Sequence, residues 1–494
     1  MRKSSIILAV ILSLATIYFG YQIVYIFPLI LTTQGLILNS ILIVSEILCA
    51  LFSVYLYHSV FCAMEWKHFN YKSLREHPAV TIQVPTYNES KDVWKGTLEA
   101  CMKQDYPKDK YEIIVADDSS DANMADEIRK FCSQQKIKFI HRDHRRGFKA
   151  GALNNILGMS KGDVVAIIDA DDVPERTFLS HSVEALYSEN KIAFVQSRNA
   201  ERNDGFNAVT GIGRLVRDLF FGAIMKSKDM RNLAIFCGSG GVIKKSVLLE
   251  HGGWPEETVT EDIDLSTKIF ASGYTSRFIN PVECRGLLPS TFTGLCGQTA
   301  RWAHGTTNTL RLRWKMIARI PGFFRKLEHF LSCMTYLIGP AIVAIDLAMV
   351  YHLLTRTPIF HMYEPTSMWI FGVGFTVSSF LALLYVQILD KKFSLSRTLL
   401  YIFTIYGLSI NFTKASLKAL LHIKFEFFRT PRNEARKSLG CVMKRYWIES
   451  VLGVLSIGSS LTAITSPSYA MQAIWVFLFG IGFLTAPALA IKYR

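Results

Sequence analysis

The feature that most restricts the fold of this chain is a long uncharged stretch near its start. No Asp, Glu, Lys or Arg lies between Lys3 and Glu46. The run Ile6–Leu31 is apolar and long enough to cross a bilayer, which takes about 20 helical residues. A second apolar run, Leu36–Phe61, is followed by several basic residues, and lysine and arginine favour the cytoplasmic side of a membrane. The sequence therefore predicts two crossings that return the chain to the cytoplasm.

Composition also indicates a membrane protein. Half of the 494 residues are apolar, and the formal net charge is +15. In a chain this apolar, a basic surplus indicates membrane topology, so we expect membrane lipids as partners and no nucleic acid. The nine cysteines form no CxxC pair, which indicates reduced thiols with neither a disulfide framework nor a zinc site.

The C-terminal part again alternates apolar and basic segments. The amphipathic segment Thr306–Ile320 predicts a helix in the membrane interface. The segment Thr398–Leu421 starts apolar but carries lysines at helical spacing, so we place it along the inner interface, with a further span as the alternative. Four more spans are predicted: Phe330–Leu354, Met368–Leu389, Glu449–Ile464 and Met471–Ile491. The total is six crossings, or seven if Thr398–Leu421 also spans.

Between about residues 74 and 295 the pattern changes to alternating strands and helices. Helical patterns such as Lys91–Met102 and Thr177–Ser188 separate short β-branched runs. This alternation predicts a mostly parallel sheet with helices on both faces. The predicted strands are Val80–Pro85, Tyr111–Asp117, Ile137–His141, Asp163–Asp169, Ile192–Gln196 and Thr275–Asn280.

The run Val164–Val173 reads as a buried strand that delivers Asp169 and Asp171 at its carboxyl end. In open α/β sheets, ligands bind at that edge. Two aspartates at this spacing suit a divalent cation, because its preferred ligands are oxygens, and the cation would neutralise phosphates. The alternative is an ordinary acidic strand end.

Three further segments bring polar groups to the same edge. Pro85–Glu89 offers a tyrosine and a carboxylate to a nucleoside, or is an ordinary capped turn. The pair Asp117 and Asp118 ends the next strand. Gly147–Gly151 opens a helix whose N–H groups, together with Lys149, suit a diphosphate, unless the lysine is simply solvated.

Two motifs follow towards the membrane part. An acid in Thr260–Asp262 can act as a general base towards a hydroxyl, or can stabilise a helix start through the helix dipole. In Gln298–Trp302, Arg301 can pair bidentately with a diphosphate and Trp302 can stack on a sugar ring. The alternative is a membrane-anchoring tryptophan beside a snorkelling arginine.

The order Asp-x-Asp, TED and QxxRW before an apolar bundle resembles the membrane-embedded family 2 glycosyltransferases, such as cellulose synthase, hyaluronan synthase and the mannan-synthase-like enzymes. The resemblance covers residues 80 to about 313 by motif and the membrane part by layout. It implies a Rossmann-like α/β GT-A domain with a mostly parallel sheet, inserted in an all-α transmembrane bundle. The expected domains are 1–73 (two transmembrane helices), 74–304 (GT-A), 305–329 (interfacial helices) and 330–494 (transmembrane bundle with an interfacial segment and a basic, gating-like loop at 424–445).

The resemblance also implies roles for single residues. Asp262 would be the catalytic base, and Asp169 and Asp171 would bind Mg²⁺ or Mn²⁺. The acceptor would contact Cys237, Gly238 and Trp302. The donor would contact Thr86, Tyr87, Glu89, Asp117, Asp118, Lys149, Asp169, Gln298 and Arg301. Residues 428–432 lie where these synthases carry a gating loop, but they depart from its usual sequence form.

The implied reaction is inverting transfer of a sugar from a UDP- or GDP-linked donor to a glycan acceptor. The leading hypothesis is processive synthesis of a β-linked polysaccharide and its translocation across the cell membrane by a multi-pass protein with a cytoplasmic catalytic domain. The alternative is a single transfer to a membrane lipid, and a third hypothesis is a non-catalytic transporter or receptor. Two acids inside predicted spans, Glu46 and Asp346, would line a glycan path or pair with neighbours at a helix interface.

Overall fold

The computed structural model describes residues 33–362, 374–389, 393–425 and 438–493, together with positions 17, 18, 20, 21 and 24. Most of the first predicted span, Ile6–Leu31, lies outside the described residues. The same holds for the gating-like segment 428–432 and for the start of the predicted span Met368–Leu389.

The middle of the chain forms one eight-stranded sheet in the spatial order β3-β2-β1-β4-β7-β6-β8-β5. The pairs among β3, β2, β1 and β4 are parallel, whereas β7 runs antiparallel to both of its neighbours. The strands are β1 Val80–Thr86, β2 Tyr111–Asp117, β3 Lys138–His141, β4 Val164–Ile167, β5 Val173–Pro174, β6 Ile192–Glu201, β7 Gly241–Lys244 and β8 Thr275–Gly286.

All six predicted strands are confirmed, with β6 and β8 longer than expected. Two strands, β5 and β7, were not predicted. Strand β5 has only two residues, and β7 has four residues after a glycine-rich loop, so neither shows an alternating pattern over enough positions. The mostly parallel α/β architecture predicted for this region is confirmed.

Helices pack on both faces of the sheet and continue into the C-terminal part. The described helices of the catalytic region are α2 Lys91–Met102, α3 Ala122–Gln134, α4 Phe148–Leu157, α5 Phe178–Leu186, α6 Ala208–Leu219, α7 Met225–Met230, α8 Lys245–Glu250 and α9 Glu261–Ala271. Before them lies α1 Thr33–Glu65, and after them lie α10 Phe292–Arg319, α11 Phe323–Met334, α12 Ile338–Thr355, α13 Gly374–Leu389, α14 Leu395–Leu420, α15 Leu439–Arg445, α16 Trp447–Ala463 and α17 Ala470–Lys492.

Strand β4 is the centre of the sheet's core, because all four of its residues are completely buried. One face packs on the cluster that contains Trp94 and Phe178, and the other packs on the cluster that contains Phe236 and Phe270. Burying an apolar side chain of this size contributes about 1.5–3 kcal/mol. This core fixes the strand ends that carry the polar residues of the site.

Three helical segments among the described residues are long and apolar enough to cross a membrane, namely Gly35–Glu65, Phe323–Thr355 and Ala470–Lys492. They contain the predicted spans Leu36–Phe61, Phe330–Leu354 and Met471–Ile491. Two shorter apolar helices, Phe380–Leu389 and Trp447–Ala463, overlap the other two predicted spans.

Helix α14 packs against α10, α12 and α17. Its Gly407 approaches α17 so closely that a Cβ there would lie 3.0 Å from the carbonyl oxygen of Gly482. Close approach at small residues is typical of helix packing in membranes. The interfacial position that we predict for Thr398–Leu421 stays a prediction.

The amphipathic segment predicted as interfacial forms the second half of α10. Its apolar residues Leu310 and Ile317 pack on the catalytic core, whereas Trp314 is 58% exposed. Arg313 fixes the same contact, because its guanidinium pairs with Asp264 at 2.7 Å. Part of the predicted lipid-facing stripe therefore packs against the catalytic domain, and the membrane-interface position stays a prediction.

The two acids in predicted spans both have polar partners. The Glu46 carboxylate lies 2.6 Å from His361 Nε2, and Ser456 donates a hydrogen bond of 3.0 Å to Asp346. These contacts between segments favour the pairing alternative over a glycan path.

Candidate active site

One cavity of about 600 Å³ opens at the carboxyl edge of the sheet. It collects residues from the ends of β1, β2 and β4, the starts of α4 and α9, and helix α10. The predicted site residues that line it are Thr86, Tyr87, Glu89, Asp118, Lys149, Asp169, Asp171, Cys237, Gly238, Asp262, Gln298, Arg301 and Trp302. Segments far apart in the sequence therefore share one space of the size expected for a ligand site.

Asp117, which we predicted to contact the sugar donor, lies behind the residues that line the cavity. It is fully buried, and its carboxylate accepts hydrogen bonds of 2.7 Å from the hydroxyls of Thr86 and Ser119. Its other oxygen lies 2.7 Å from His141 Nδ1. These contacts make Asp117 a support that positions Thr86 at the cavity.

The adjacent Asp118 faces a cation that the sequence analysis missed. Arg142 donates to both oxygens of Asp118, at 2.7 and 2.6 Å. A second arginine, Arg145, places its guanidinium carbon 3.3 Å from the centre of the Tyr87 ring. Both arginines follow β3, whose last residue pairs in register with Asp117, so the end of that strand was the available signal.

Lys149 lies in the first turn of α4 and spans the middle of the cavity. Its amine is 2.6 Å from Asp169 Oδ1 and 3.8 Å from Glu261, and it donates a 2.9 Å hydrogen bond to the carbonyl of Gly238. Burial alone lowers the pKa of Lys149, but the charges of Asp169 and Glu261 outweigh it, so the pKa is raised. Lys149 is therefore a fixed cation between the β4 end and the start of α9.

The turn after β4 carries a third carboxylate, Asp172, which the sequence analysis did not single out. Burial raises its pKa to about 7, and the nearby charges of Asp171 and Asp169 add to this effect. Three like charges in four residues favour a bound cation, and carboxylate oxygens are the ligands that Mg²⁺ and Mn²⁺ prefer. The chemistry of these side chains therefore suits a divalent metal, whereas their arrangement in this structure is not that of a complete site. Among the described residues, no group of three or more His, Cys, Asp or Glu has the geometry of a complete metal site.

Asp262 lies at the start of α9, where the backbone N–H of Ile263 donates a 2.8 Å hydrogen bond to its Oδ1. Burial raises the pKa of Asp262 to about 7, helped by the charge of Glu261 and opposed by Lys149 and Arg301. A carboxylate with a pKa near the working pH is suited to general-base catalysis.

The TED and QxxRW segments meet because a glycine allows it. A Cβ on Gly305 in α10 would lie 2.2 Å from the hydroxyl oxygen of Thr260, closer than side chains can approach. Helix α10 is held from its other side by Asn411, which donates a 2.8 Å hydrogen bond to the carbonyl of Cys296. These contacts position Arg301 and Trp302 at the cavity wall.

Beyond the site, the cavity continues among the apolar helices. The sequence analysis predicted a glycan path through these helices but named none of the residues that line this extension. Its wall there is aliphatic and aromatic. The residues that form it include Phe52, Tyr55, Leu56, Tyr336, Ile338, Leu383, Tyr401, Ile402, Ile405, Tyr406, Leu408 and Phe412. They come from α1, α12, α13 and α14 and from the turn before α12, so their proximity depends on tertiary packing.

Comparison with known proteins defines the class of the catalytic region. The family model described as "Glycosyl transferase family 2" matches residues 81–252. These residues hold most of β1, all of β2 to β7, the Asp169 turn and the Phe236–Gly240 loop. The chain therefore contains a family 2 glycosyltransferase domain.

Two relatives show which glycosyltransferases this domain is similar to. A cellulose synthase catalytic subunit of Pseudomonas fluorescens is 35% identical over 244 residues, which cover 48% of this chain and 32% of the relative. A probable glucomannan 4-beta-mannosyltransferase of Oryza sativa is 33% identical over 252 residues, which cover 49% of this chain and 42% of the relative. The domain is thus similar to the catalytic regions of both kinds of enzyme, and the matches span less than half the length of either relative.

A solved structure confirms the fold. A mannosyltransferase from Pyrobaculum calidifontis, in complex with GDP-Man and Mn²⁺, superposes with a TM-score of 0.54 at 21% identity, over 78% of this chain and all of that chain. The fold is therefore a GT-A-like domain together with a helical region, in which three segments of the described residues are long and apolar enough to span a membrane.

Proposed function

We propose that this protein is an inverting family 2 hexosyltransferase that moves a sugar from a nucleotide-sugar donor to a glycan acceptor and so builds a polysaccharide. The observation that carries the proposal is the single cavity that contains Asp169, Asp171, Asp262 and Trp302. One small molecule that reaches all four would have a diphosphate beside the β4 end and a sugar beside Asp262.

The nucleoside would lie at the end of the cavity lined by Tyr87 and Asp118. The diphosphate would meet positive charge from Lys149 and Arg301. Asp169 and Asp171 would hold Mg²⁺ or Mn²⁺, which supplies charge neutralisation to the leaving diphosphate when bound. The relatives include a UDP-forming cellulose synthase and a structure with GDP-Man, so both nucleotides are candidate donors.

Asp262 would take the proton of the attacking acceptor hydroxyl as the bond between the sugar C1 and the diphosphate lengthens. Typical general-base catalysis contributes about 10²–10⁴-fold to the rate. A single displacement inverts the anomeric carbon, so an α-linked donor would give a β-linked product. Trp302 and the Cys237–Gly238 segment would hold the terminal sugar of the acceptor, since both line the cavity that contains Asp262, and a Cβ on Gly238 would lie 3.3 Å from Asp262 Oδ2.

For the membrane part we propose a multi-pass arrangement with the catalytic domain on the cytoplasmic side and the domain boundaries predicted above. The basic residues that follow α1 support this sidedness. The extension of the cavity into the helices would receive the growing glycan. Tyrosines at positions 336, 401 and 406 in its wall can pack against pyranose rings.

A second candidate function is a single transfer to a membrane lipid. The observation that favours it is the aliphatic wall of the same extension, where Leu383, Ile402, Ile405 and Leu408 suit a hydrocarbon chain. Lipid and glycan acceptors give products of different size, so the two functions are separable.

The test is a donor panel with product sizing. The purified full chain would be incubated with UDP-, GDP- and dTDP-linked sugars, with Mn²⁺, with Mg²⁺ and with a chelator, and released nucleoside diphosphate would be measured. We expect release with one nucleotide class, its loss with chelator, and a polymeric product. A lipid-sized product would favour the second candidate, and no release from any donor would contradict the enzyme assignment. Asp126→Asn, an exposed substitution on α3, serves as the control.

A further inference from the structure

Ser239 joins two loops that line the same cavity. We call residues 236–240 the acceptor loop and residues 169–172 the aspartate turn. The Ser239 hydroxyl accepts a 2.9 Å hydrogen bond from the backbone N–H of Asp169 and donates a short hydrogen bond to the carboxylate of Asp172. The serine is only 2% exposed, so water does not replace these contacts readily.

Each loop is also held from behind. Gln196 on β6 accepts a 2.8 Å hydrogen bond from the N–H of Cys237 and donates one of 2.8 Å to the carbonyl of Ser239. The carboxylate of Asp172 presses against β8, because a Cβ on Gly286 would lie 2.0 Å from its Oδ1. The hydroxyl of Ser239 therefore connects two supported segments and has little freedom to turn elsewhere.

A parallel connection lies on the cavity side. Lys149 is 2.6 Å from Asp169 Oδ1 and donates to the carbonyl of Gly238. This link is part of the donor site, and a bound diphosphate would compete for the lysine. The link through Ser239 is a second connection between the same two segments, formed at the buried base of the cavity wall and independent of the Lys149 amine.

We propose that Ser239 is a positioning residue that couples the aspartate turn to the acceptor loop. The proposal rests on the proposed function, because it assigns the donor to one segment and the acceptor to the other. The backbone of Asp169 is held by the hydroxyl that also orders the loop beside Asp262. Loss of that hydroxyl releases both segments, so donor–metal binding and acceptor binding weaken together.

The first test needs neither donor nor acceptor. Hydrogen exchange of the full chain in detergent would be compared for wild type, Ser239→Ala and Ser182→Ala. Ser182 is a matched control, since it is fully buried on α5 at a distance from the cavity. We expect Ser239→Ala to speed exchange in both the aspartate turn and the acceptor loop by about tenfold or more, as expected when a local opening becomes easier. Unchanged exchange in either segment would overturn the proposal.

The second test separates positioning from mere folding. Binding of Mn²⁺ in the presence of GDP or UDP would be measured from the electron paramagnetic resonance signal of free Mn²⁺. The KM for the acceptor would be measured separately from kcat. We expect Ser239→Ala to weaken Mn²⁺–nucleotide binding and to raise acceptor KM, each about tenfold. Ser239→Thr, which keeps the hydroxyl, should restore both, and Ser182→Ala should change neither. Weakening of one without the other, or no rescue by threonine, would contradict the coupling.

The two ideas fail in different ways. If the wild type transfers no sugar from any donor, the proposed function is wrong, yet the exchange experiment still reports on the link between the segments. If transfer is normal and Ser239→Ala behaves as wild type in both tests, the coupling is wrong and the proposed function stands.

Discussion

The substitution Gly305→Ala tests how closely the TED helix must approach the QxxRW helix. The added Cβ would lie 2.2 Å from Thr260 Oγ1, 2.3 Å from its Cγ2 and 2.7 Å from its Cβ, whereas real Cβ atoms essentially never come within 3.0 Å of another atom. Three atoms of a buried, branched residue cannot all move aside, so α10 and the start of α9 must separate by about 1 Å. A misplacement of about 1 Å can cost about 10²-fold in rate.

We therefore expect Gly305→Ala to lower kcat about 10²-fold. The Kd for nucleoside diphosphate should rise by a smaller factor, because α10 carries Arg301, whereas Thr86, Asp118 and the aspartate turn are untouched. Sugar transfer from a labelled donor and nucleotide binding would be measured on the same preparation. The matched control is Gly297→Ala in the same helix, where an added Cβ meets open space. It should keep full activity and gain slightly in stability, because alanine favours a helix over glycine by about 1 kcal/mol.

The double variant Thr260→Ala with Gly305→Ala supplies a further check. Removing Oγ1 and Cγ2 of Thr260 eliminates the two closest contacts, so part of the lost kcat should return. Equal activity of the variants at 305 and 297, or additive losses in the double variant, would refute the reasoning that the two helices are held in contact through this glycine.

Three more outcomes follow from the site. Asp262 must be ionised to accept a proton, so the rate of transfer should fall as the pH drops below about 7. Glu261→Gln removes a like charge and lowers the pKa of Asp262, so this acid limb of the pH–rate profile should move to lower pH. A profile without an acid limb would count against the base assignment. Asp117→Ala should destabilise the fold by about 2–3 kcal/mol in denaturant unfolding, since it removes the acceptor of the buried hydroxyls of Thr86 and Ser119. A loss below about 1 kcal/mol would show that the support is dispensable. Asp171→Asn should raise the Mn²⁺ concentration needed for half-maximal activity about 10-fold or more, and an unchanged requirement would remove this ligand.

The sequence predicted those site residues that follow directly after a strand. Strand β4 is a continuous β-branched run, so its burial and the position of Asp169 and Asp171 followed from hydrophobicity and topology. TED and QxxRW were placed by a resemblance of motifs. The cavity brings Asp262 and Trp302 together with these aspartates, although they lie 91 and 131 residues after Asp171 in the sequence.

Other parts of the site depend on packing that no local pattern encodes. Arg142 and Arg145 follow the predicted strand β3, but their loop has the composition of a solvated basic turn. The strand end places them at this edge of the sheet, and the β2–β3 register then brings Arg142 to Asp118. Ser239 is a serine in a glycine-rich loop, and its two partners lie about 70 residues away. Strand β7 turns antiparallel within a parallel sheet, which periodicity cannot reveal in four residues.

In the membrane part, too, some features follow from local sequence and others depend on tertiary packing. Hydropathy identified the three segments that are long and apolar enough to span, because that signal is local. Whether Leu310 and Ile317 face lipid or protein is a property of neighbours, and here the catalytic core covers them. The cavity among α1, α12, α13 and α14 likewise arises only when the helices assemble.

The central claim is that a nucleotide-sugar and the base Asp262 share one cavity. In this claim other residues bind the nucleotide, and Asp262 accepts the proton of the acceptor hydroxyl. Asp262→Asn tests this most directly, because asparagine keeps the shape of the side chain but cannot accept the proton. Nucleoside-diphosphate affinity and sugar transfer would be measured together for this variant and for wild type. We predict affinity within about threefold of wild type and a loss of transfer of about 10²-fold or more, and near-normal transfer by Asp262→Asn would contradict the account.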